Sequence, residues 1–228
     1  IDGRVTADDI VGTWAGLRPL VATPGVSGRT ADLSRRHHVH RSSAGVVTIN
    51  GGKLTTYRRM AEDTIDVVVE DVLERDLLWR LRHRCRTKRL ALHGANGYDE
   101  VMADADRLSS LGGDTVRRLA DRYGSDATTV LALAESDPEL AAPLVPGLDM
   151  LRAEAIFAVR HEMATGLDDV LDRRTRARLQ ALDATWDEAE SVADLIGPEL
   201  GWDEAERQAR VEAYRASLRH ERAALDVP

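Results

Sequence analysis

Beyond about Gly97 the chain offers no segment that reads as a strand, and this constrains its fold more than any other feature. The stretches DTVRRLADRYG, SDATTVLALAES, LDMLRAEAIFAVRHEMA, TWDEAESVADLIG and DEAERQARVEAYRASLRHERAAL all have helix-like composition and patterning, each with a plausible cap. Gly124 and Gly197 stand where helices should stop, and Asp203 with Glu206 has the spacing of a capping box. A short amphipathic helix must bury its apolar stripe against a neighbour. Five of them in succession therefore predict an all-α domain with its own core over residues 97–228.

The first 76 residues have a different texture. RRHHVHRSSAGVVTIN reads as a hairpin: a strand to about Arg41, a turn at Ser42-Ser43-Ala44-Gly45, then a strand from Val46 to Asn50. After Gly51-Gly52, Leu54, Tyr57, Ala61, Thr64, Val68 and Val72 recur at three- and four-residue spacing, so a helix is expected to about Leu73. Upstream, VATPGVSGRTADLS is a loop by its Pro and Gly content. The expected fold class is α+β: a β-hairpin and a strand–Gly-Gly turn–helix in residues 1–76, a basic connector over 77–96, and the helical domain.

Composition narrows the function. The formal charge of −8 argues against a general nucleic-acid binder, and no apolar run approaches the length that spans a bilayer. Cys85 is the single cysteine, so no disulfide can form within the chain and a reducing compartment is compatible. The sequence opens on Ile1 rather than methionine, which suggests a natural N-terminus further upstream. Lysine is rare: Lys53 and Lys88 are the only two among 31 basic residues, and Lys53 directly follows the glycine pair.

A strand that ends on two glycines and leads into a helix aims backbone N–H groups at something polar or negative. GGKLTT is not a nucleotide P-loop, because Val47 stands where the first glycine is needed and Leu54 follows the lysine where Ser or Thr must hold magnesium. Nor does the chain carry a Gly-x-Gly-x-x-Gly fingerprint, since no two of its 17 glycines are separated by a single residue. Three histidines in RRHHVH invite a metal reading. On a strand, however, His38 and His40 share a face while His37 points away, and no third ligand is at hand, so no metal site is assigned. His161-Glu162 and the run DRRTRAR are expected to pack, salt-bridge and face solvent, and the tryptophans to pack.

GTWAGLRPLV, LSRRHHVH and INGGKLTTYRRMAEDTI, in this order and spacing, resemble the C-terminal stretch of FAD-dependent, quinone-linked glycerol-3-phosphate dehydrogenase. RRLADRYGSDATTVL and RAEAIFAVRHEMATGLDDVLDRRTR resemble that family's C-terminal domain, so the likeness covers most of residues 8 to 180. The family's N-terminal FAD-binding βαβ unit has no counterpart in this sequence.

The resemblance implies FAD as cofactor, with Gly51, Gly52, Lys53, Leu54, Thr55 and Thr56 approaching the pyrimidine edge of the isoalloxazine ring. It implies that Arg18, fixed beside Pro19, binds the substrate's oxygens over the flavin face. Arg35 and His37 would lie near the substrate pocket, with no role assigned, and no general base is identified. The implied reaction oxidises sn-glycerol 3-phosphate to dihydroxyacetone phosphate and passes electrons to a quinone. The implied setting is cytoplasmic, peripheral on the inner face of the cell membrane, and compatible with a homodimer. Two alternatives stand beside it: an oxidase that uses oxygen as acceptor, and a non-catalytic helical interaction module.

Overall fold

A computed structural model of the protein describes residues 6, 16, 36–73, 78–79 and 85–225. The chain divides into two compact units, one within Ala15–Ala91 and the other containing the helices from Leu92 onward.

In the first unit, β1 (His38–Arg41) pairs antiparallel with β2 (Val47–Asn50) in the register His38–Asn50 to Arg41–Val47. The turn closes with Ser42 N–H donating to Val46 O at 2.9 Å and Gly45 N–H to Ser42 O at 3.0 Å. This is the hairpin expected from the sequence. After Gly51-Gly52 a single 3₁₀ turn (Leu54–Thr56) leads into α1 (Tyr57–Val67), which widens into a π-helical turn over Val68–Val72.

The second unit is helical. Its elements are α2 (Tyr98–Ala103), α3 (Ala105–Leu108), α4 (Gly113–Tyr123), α5 (Ala127–Ser136), α6 (Arg152–His161), a π-helical segment (Asp169–Arg174), α7 (Ala177–Gln180), α8 (Leu182–Leu200) and α9 (Glu204–Leu225). The buried positions follow the helical repeat: Val116, Leu119, Ala120 and Tyr123 on α4, and Val211, Tyr214 and Leu218 on α9. Two apolar clusters result. One gathers α2 to α5, the other the π segment with α7, α8 and α9. Between them runs α6, with Ala153 and Phe157 in the first cluster and Ala155 and Ala158 in the second. A helix clasped on two sides carries a weaker amphipathic pattern, which is why the apolar residues of RAEAIFAVRH do not keep to one narrow stripe.

One expected stop is overturned. α8 continues through Gly197 and Pro198 and ends at Gly201, whose φ of 70° is the left-handed cap conformation that glycine adopts without penalty. Gly197 serves packing instead: a Cβ there would lie 2.8 Å from Arg207 Cδ and 3.6 Å from Trp202 Cε3, so its bareness lets the start of α9 fold back onto α8. Gly124 ends α4 as expected, and Asp203 Oδ1 accepts the Glu206 N–H at 2.8 Å at the head of α9.

Candidate functional site

The Gly-Gly turn is built by its neighbours. Gly51 and Gly52 have φ of 74° and 82°, a region costly for any residue with a side chain. Space is the second constraint at Gly52, where a Cβ would lie 2.5 Å from Met60 Sδ and 3.3 Å from His37 Cβ. The backbone therefore lies directly on the first turns of α1. His37 Nε2 meets Asp63 Oδ2 at 2.7 Å, and Asp63 Oδ1 in turn meets Arg59 Nη2 at 2.9 Å. Glu62 sits between Arg58 at 2.9 Å and Arg59 at 3.1 Å, and the Arg58 hydrogen bond holds its carboxyl below the usual range. His37 thus has a definite place: it fastens the chain entering β1 to α1, beneath the turn.

Of the four amides at the helix start, two are engaged inside the turn. Lys53 N–H donates to Thr56 Oγ1 at 3.1 Å, and Thr56 N–H to Lys53 O at 2.9 Å. The Leu54 and Thr55 N–H groups, the first two of the helical turn, have no acceptor among the described residues. The Lys53 side chain is exposed and makes no ion pair among them. Leu54 is 88 % exposed and Tyr57 57 %, so apolar surface borders the polar donors. Two free N–H groups, a helix N-terminus and an unpaired ammonium suit an acceptor-bearing edge of a planar, partly apolar group. The pyrimidine edge of a flavin, with N1 and O2 as acceptors, fits that description. Arg18 and Arg35 lie outside the described residues.

The helical unit has a polar centre that sequence reasoning missed. Glu154 is fully buried, yet its carboxylate accepts from Arg118 Nη2 at 2.7 Å, Tyr123 OH at 2.9 Å and the Leu151 N–H at 2.8 Å. Burial and the Glu154 charge push the Tyr123 hydroxyl upward. The signal in the sequence was a glutamate three residues into a helix that is otherwise apolar at that point. His161 stacks on Phe157 with ring centroids 4.7 Å apart. Glu162 forms no salt bridge among the described residues and its Oε2 is buried without a partner, contrary to the expectation for this pair.

The run DRRTRAR also departs from the solvated face expected of it. Asp172 accepts from Tyr214 OH and Arg178, both at 2.8 Å, and Arg178 reaches Glu221 at 2.5 Å, tying the π segment and α7 to α9. Arg173 pairs with Asp168 at 2.5 Å and Asp169 at 2.8 Å.

Residues 85–207, more than half of the sequence, match the family described as the C-terminal domain of alpha-glycerophosphate oxidase. The chain belongs to this family. Among curated proteins it is 40% identical over 220 residues to glycerol-3-phosphate dehydrogenase 2 of Mycobacterium tuberculosis, covering 95% of this chain and 36% of that protein. It is 31% identical over 226 residues to the mitochondrial glycerol-3-phosphate dehydrogenase of Mesocricetus auratus, covering 96% of this chain and 30% of the relative. The solved glycerol-3-phosphate dehydrogenase from Bacillus halodurans, complexed with FAD, superposes with a TM-score of 0.71 at 30% identity. That match covers 94% of this chain and 41% of the other. The chain thus spans about a third of the length of the curated relatives it matches.

Proposed function

We propose that this chain supplies the C-terminal portion of an FAD-dependent glycerol-3-phosphate dehydrogenase, which oxidises sn-glycerol 3-phosphate to dihydroxyacetone phosphate. Bound FAD would supply the acceptor for the hydride leaving C2 of the substrate. The observation that carries the reading is the Gly51–Thr56 turn: a backbone pressed onto Met60 and His37, with the Leu54 and Thr55 N–H groups and the Lys53 ammonium without partners among the described residues. That turn lies in a chain matched across 94% of its length by a relative solved with FAD.

In this reading Gly51 and Gly52 let the main chain approach the ring edge without a side chain between. The two amides and the Lys53 ammonium hold positive potential at N1/O2, already oriented before charge develops there. Exposed Leu54 and Tyr57 cover apolar ring surface and exclude water. Arg18 holds two substrate oxygens at once, which a guanidinium does better than an ammonium. Since no Gly-x-Gly-x-x-Gly occurs in this sequence, the residues present fit the ring edge and not the cofactor's pyrophosphate. Electrons would pass to a quinone, with the enzyme cytoplasmic, peripheral at the inner face of the membrane, and homodimeric.

The test is to read the coding sequence upstream of Ile1 and express all that it encodes. The reading requires an in-frame strand followed by Gly-x-Gly-x-x-Gly. It also requires a yellow protein that reduces a soluble quinone with glycerol 3-phosphate and releases no stoichiometric peroxide. Peroxide in place of quinone reduction would make the enzyme an oxidase. A stop codon directly upstream, with a colourless product, would overturn the flavoenzyme assignment.

A further inference from the structure

We propose that Asp63 is a positioning residue for the flavin-edge turn and that it acts through His37. The assignment rests on the flavin reading above and adds to it two side chains that lie outside the Gly51–Thr56 turn.

A Cβ at Gly52 would meet Met60 at Sδ and Cε and His37 at its own Cβ, so these two side chains are the floor on which the turn rests. They differ in stiffness. Met60 presents the far end of an unbranched, adaptable side chain, which yields and cannot by itself set a height. His37 presents the atom next to its main chain, so where His37 is held decides where Gly52 lies.

Two ties hold His37. The next residue, His38, pairs with Asn50, so the ladder sets His37 beside the end of β2. Its imidazole Nε2 meets Asp63 Oδ2, on α1, at 2.7 Å. An ionised carboxylate only accepts, so Nε2 carries the proton of this bond. Arg59 Nη2 takes the other oxygen, Asp63 Oδ1, at 2.9 Å, which fixes the plane of the carboxylate. His37 and Asp63 are only 20% and 27% exposed, so water competes weakly for the pair.

Fastening the hairpin to the helix is not the whole task of this pair. Arg41 already ties the hairpin to the far end of the helix by donating to the Asp71 carbonyl. The His37–Asp63 pair is the tie at the near end, where the Leu54 and Thr55 N–H groups stand without acceptors among the described residues. Donors aimed at developing charge lose much of their effect when displaced by about 1 Å. Loosening His37 lets Gly52 shift, and the amides and Lys53 shift with it.

The test uses the full-length flavoprotein, with rates taken per bound flavin so that lost cofactor does not count. Asp63→Ala and His37→Ala should each slow flavin reduction by glycerol 3-phosphate about tenfold, with substrate affinity changed by less than about twofold. The flavin reduction equilibrium, read by dye titration, should fall about tenfold as well, lowering the potential by about 30 mV for two electrons. The double variant should be no slower than either single, because the two residues act as one unit. His37→Gln keeps an N–H at the reach of Nε2 and should return the rate to within about threefold of wild type. A pair that only stabilises the fold would lower the melting temperature and flavin content and leave the per-flavin rate and potential at wild-type values; that result overturns the proposal. So does a double variant whose effects multiply, or a His37→Gln as slow as His37→Ala. A full-length protein that binds no flavin overturns the flavin reading itself, and this assignment with it.

Discussion

Glu154→Ala tests whether the buried carboxylate organises the helical unit. The side chain is wholly out of solvent, accepts three hydrogen bonds and faces two guanidiniums. Truncation leaves the hydroxyl of the buried Tyr123 and the N–H of the buried Leu151 without the acceptor that Glu154 supplies. Each such orphan costs about 1–3 kcal/mol. Arg118 and Arg122 are 27% and 29% exposed and can turn partly to water, so their loss adds less than a fully buried pair would. The total should reach roughly 3–5 kcal/mol, the usual cost of breaking a buried ion pair from one side. For a helical unit of this size that lowers the melting temperature by roughly 10–20 °C, followed by circular dichroism at 222 nm. Glu154→Gln keeps one acceptor oxygen and the volume, and should lose less than half as much. A Glu154→Ala melt within about 1 kcal/mol of wild type would refute the reasoning, because a carboxylate that organised its surroundings could not be removed so cheaply.

Four further outcomes are expected. Gly52→Ala should destabilise the first unit by about 1–2 kcal/mol through its positive φ alone, with more from displacing Met60, and in the flavoprotein it should lower bound flavin, read from the visible absorbance. Lys53→Met in the flavoprotein should slow cofactor reduction in stopped-flow more than it weakens substrate binding; an unchanged rate would leave the two amides as the whole device. Arg18→Ala should cost about 1.5–3 kcal/mol, a fall of roughly ten- to two-hundred-fold in kcat/KM, with Arg18→Lys recovering part and flavin content unchanged. Burial raises the Asp172 carboxyl above its ordinary 3.8, despite the bonds from Tyr214 and Arg178. The folded state therefore holds this proton more tightly than the unfolded one, so its stabilising contribution is complete below that value and fades as pH rises through the folded pKa. Denaturant melts from pH 4 upward should show wild type losing stability relative to Asp172→Asn, and parallel curves would contradict the shift.

The hairpin was legible because its cause is local: alternation, then Ser42 to Gly45 at the turn, then alternation again. The helices were legible wherever one face alone is buried, as on α4 and α9. α6 shows where that reading thins, for burial on two sides weakens the periodic signal. The glycine pair could be recognised as a special turn from its neighbours in sequence. What presses against it could not: Met60 and His37 reach Gly52 only once α1 packs beneath the hairpin. Gly197 is the clearest case of a local rule overruled. It reads as a stop, yet α8 runs through it to Leu200, and its missing Cβ leaves room for the Arg207 side chain that folds back over α8.

The sequence by itself determined the hairpin, most of the helices and where the special backbone turn sits, because φ/ψ preference, capping and periodicity are set within a few residues, and its motifs GTWAGLRPLV, LSRRHHVH and INGGKLTTYRRMAEDTI carried the family resemblance. Only the tertiary structure decided which charges meet. Glu154 finds Arg118 and Tyr123 from 36 and 31 residues away, Asp172 finds Tyr214 from 42, and His37 finds Asp63 from 26. Such pairings depend on how packed faces align. A string of arginines such as RRTR therefore looks the same in sequence whether it faces water or lines a cavity opposite α4.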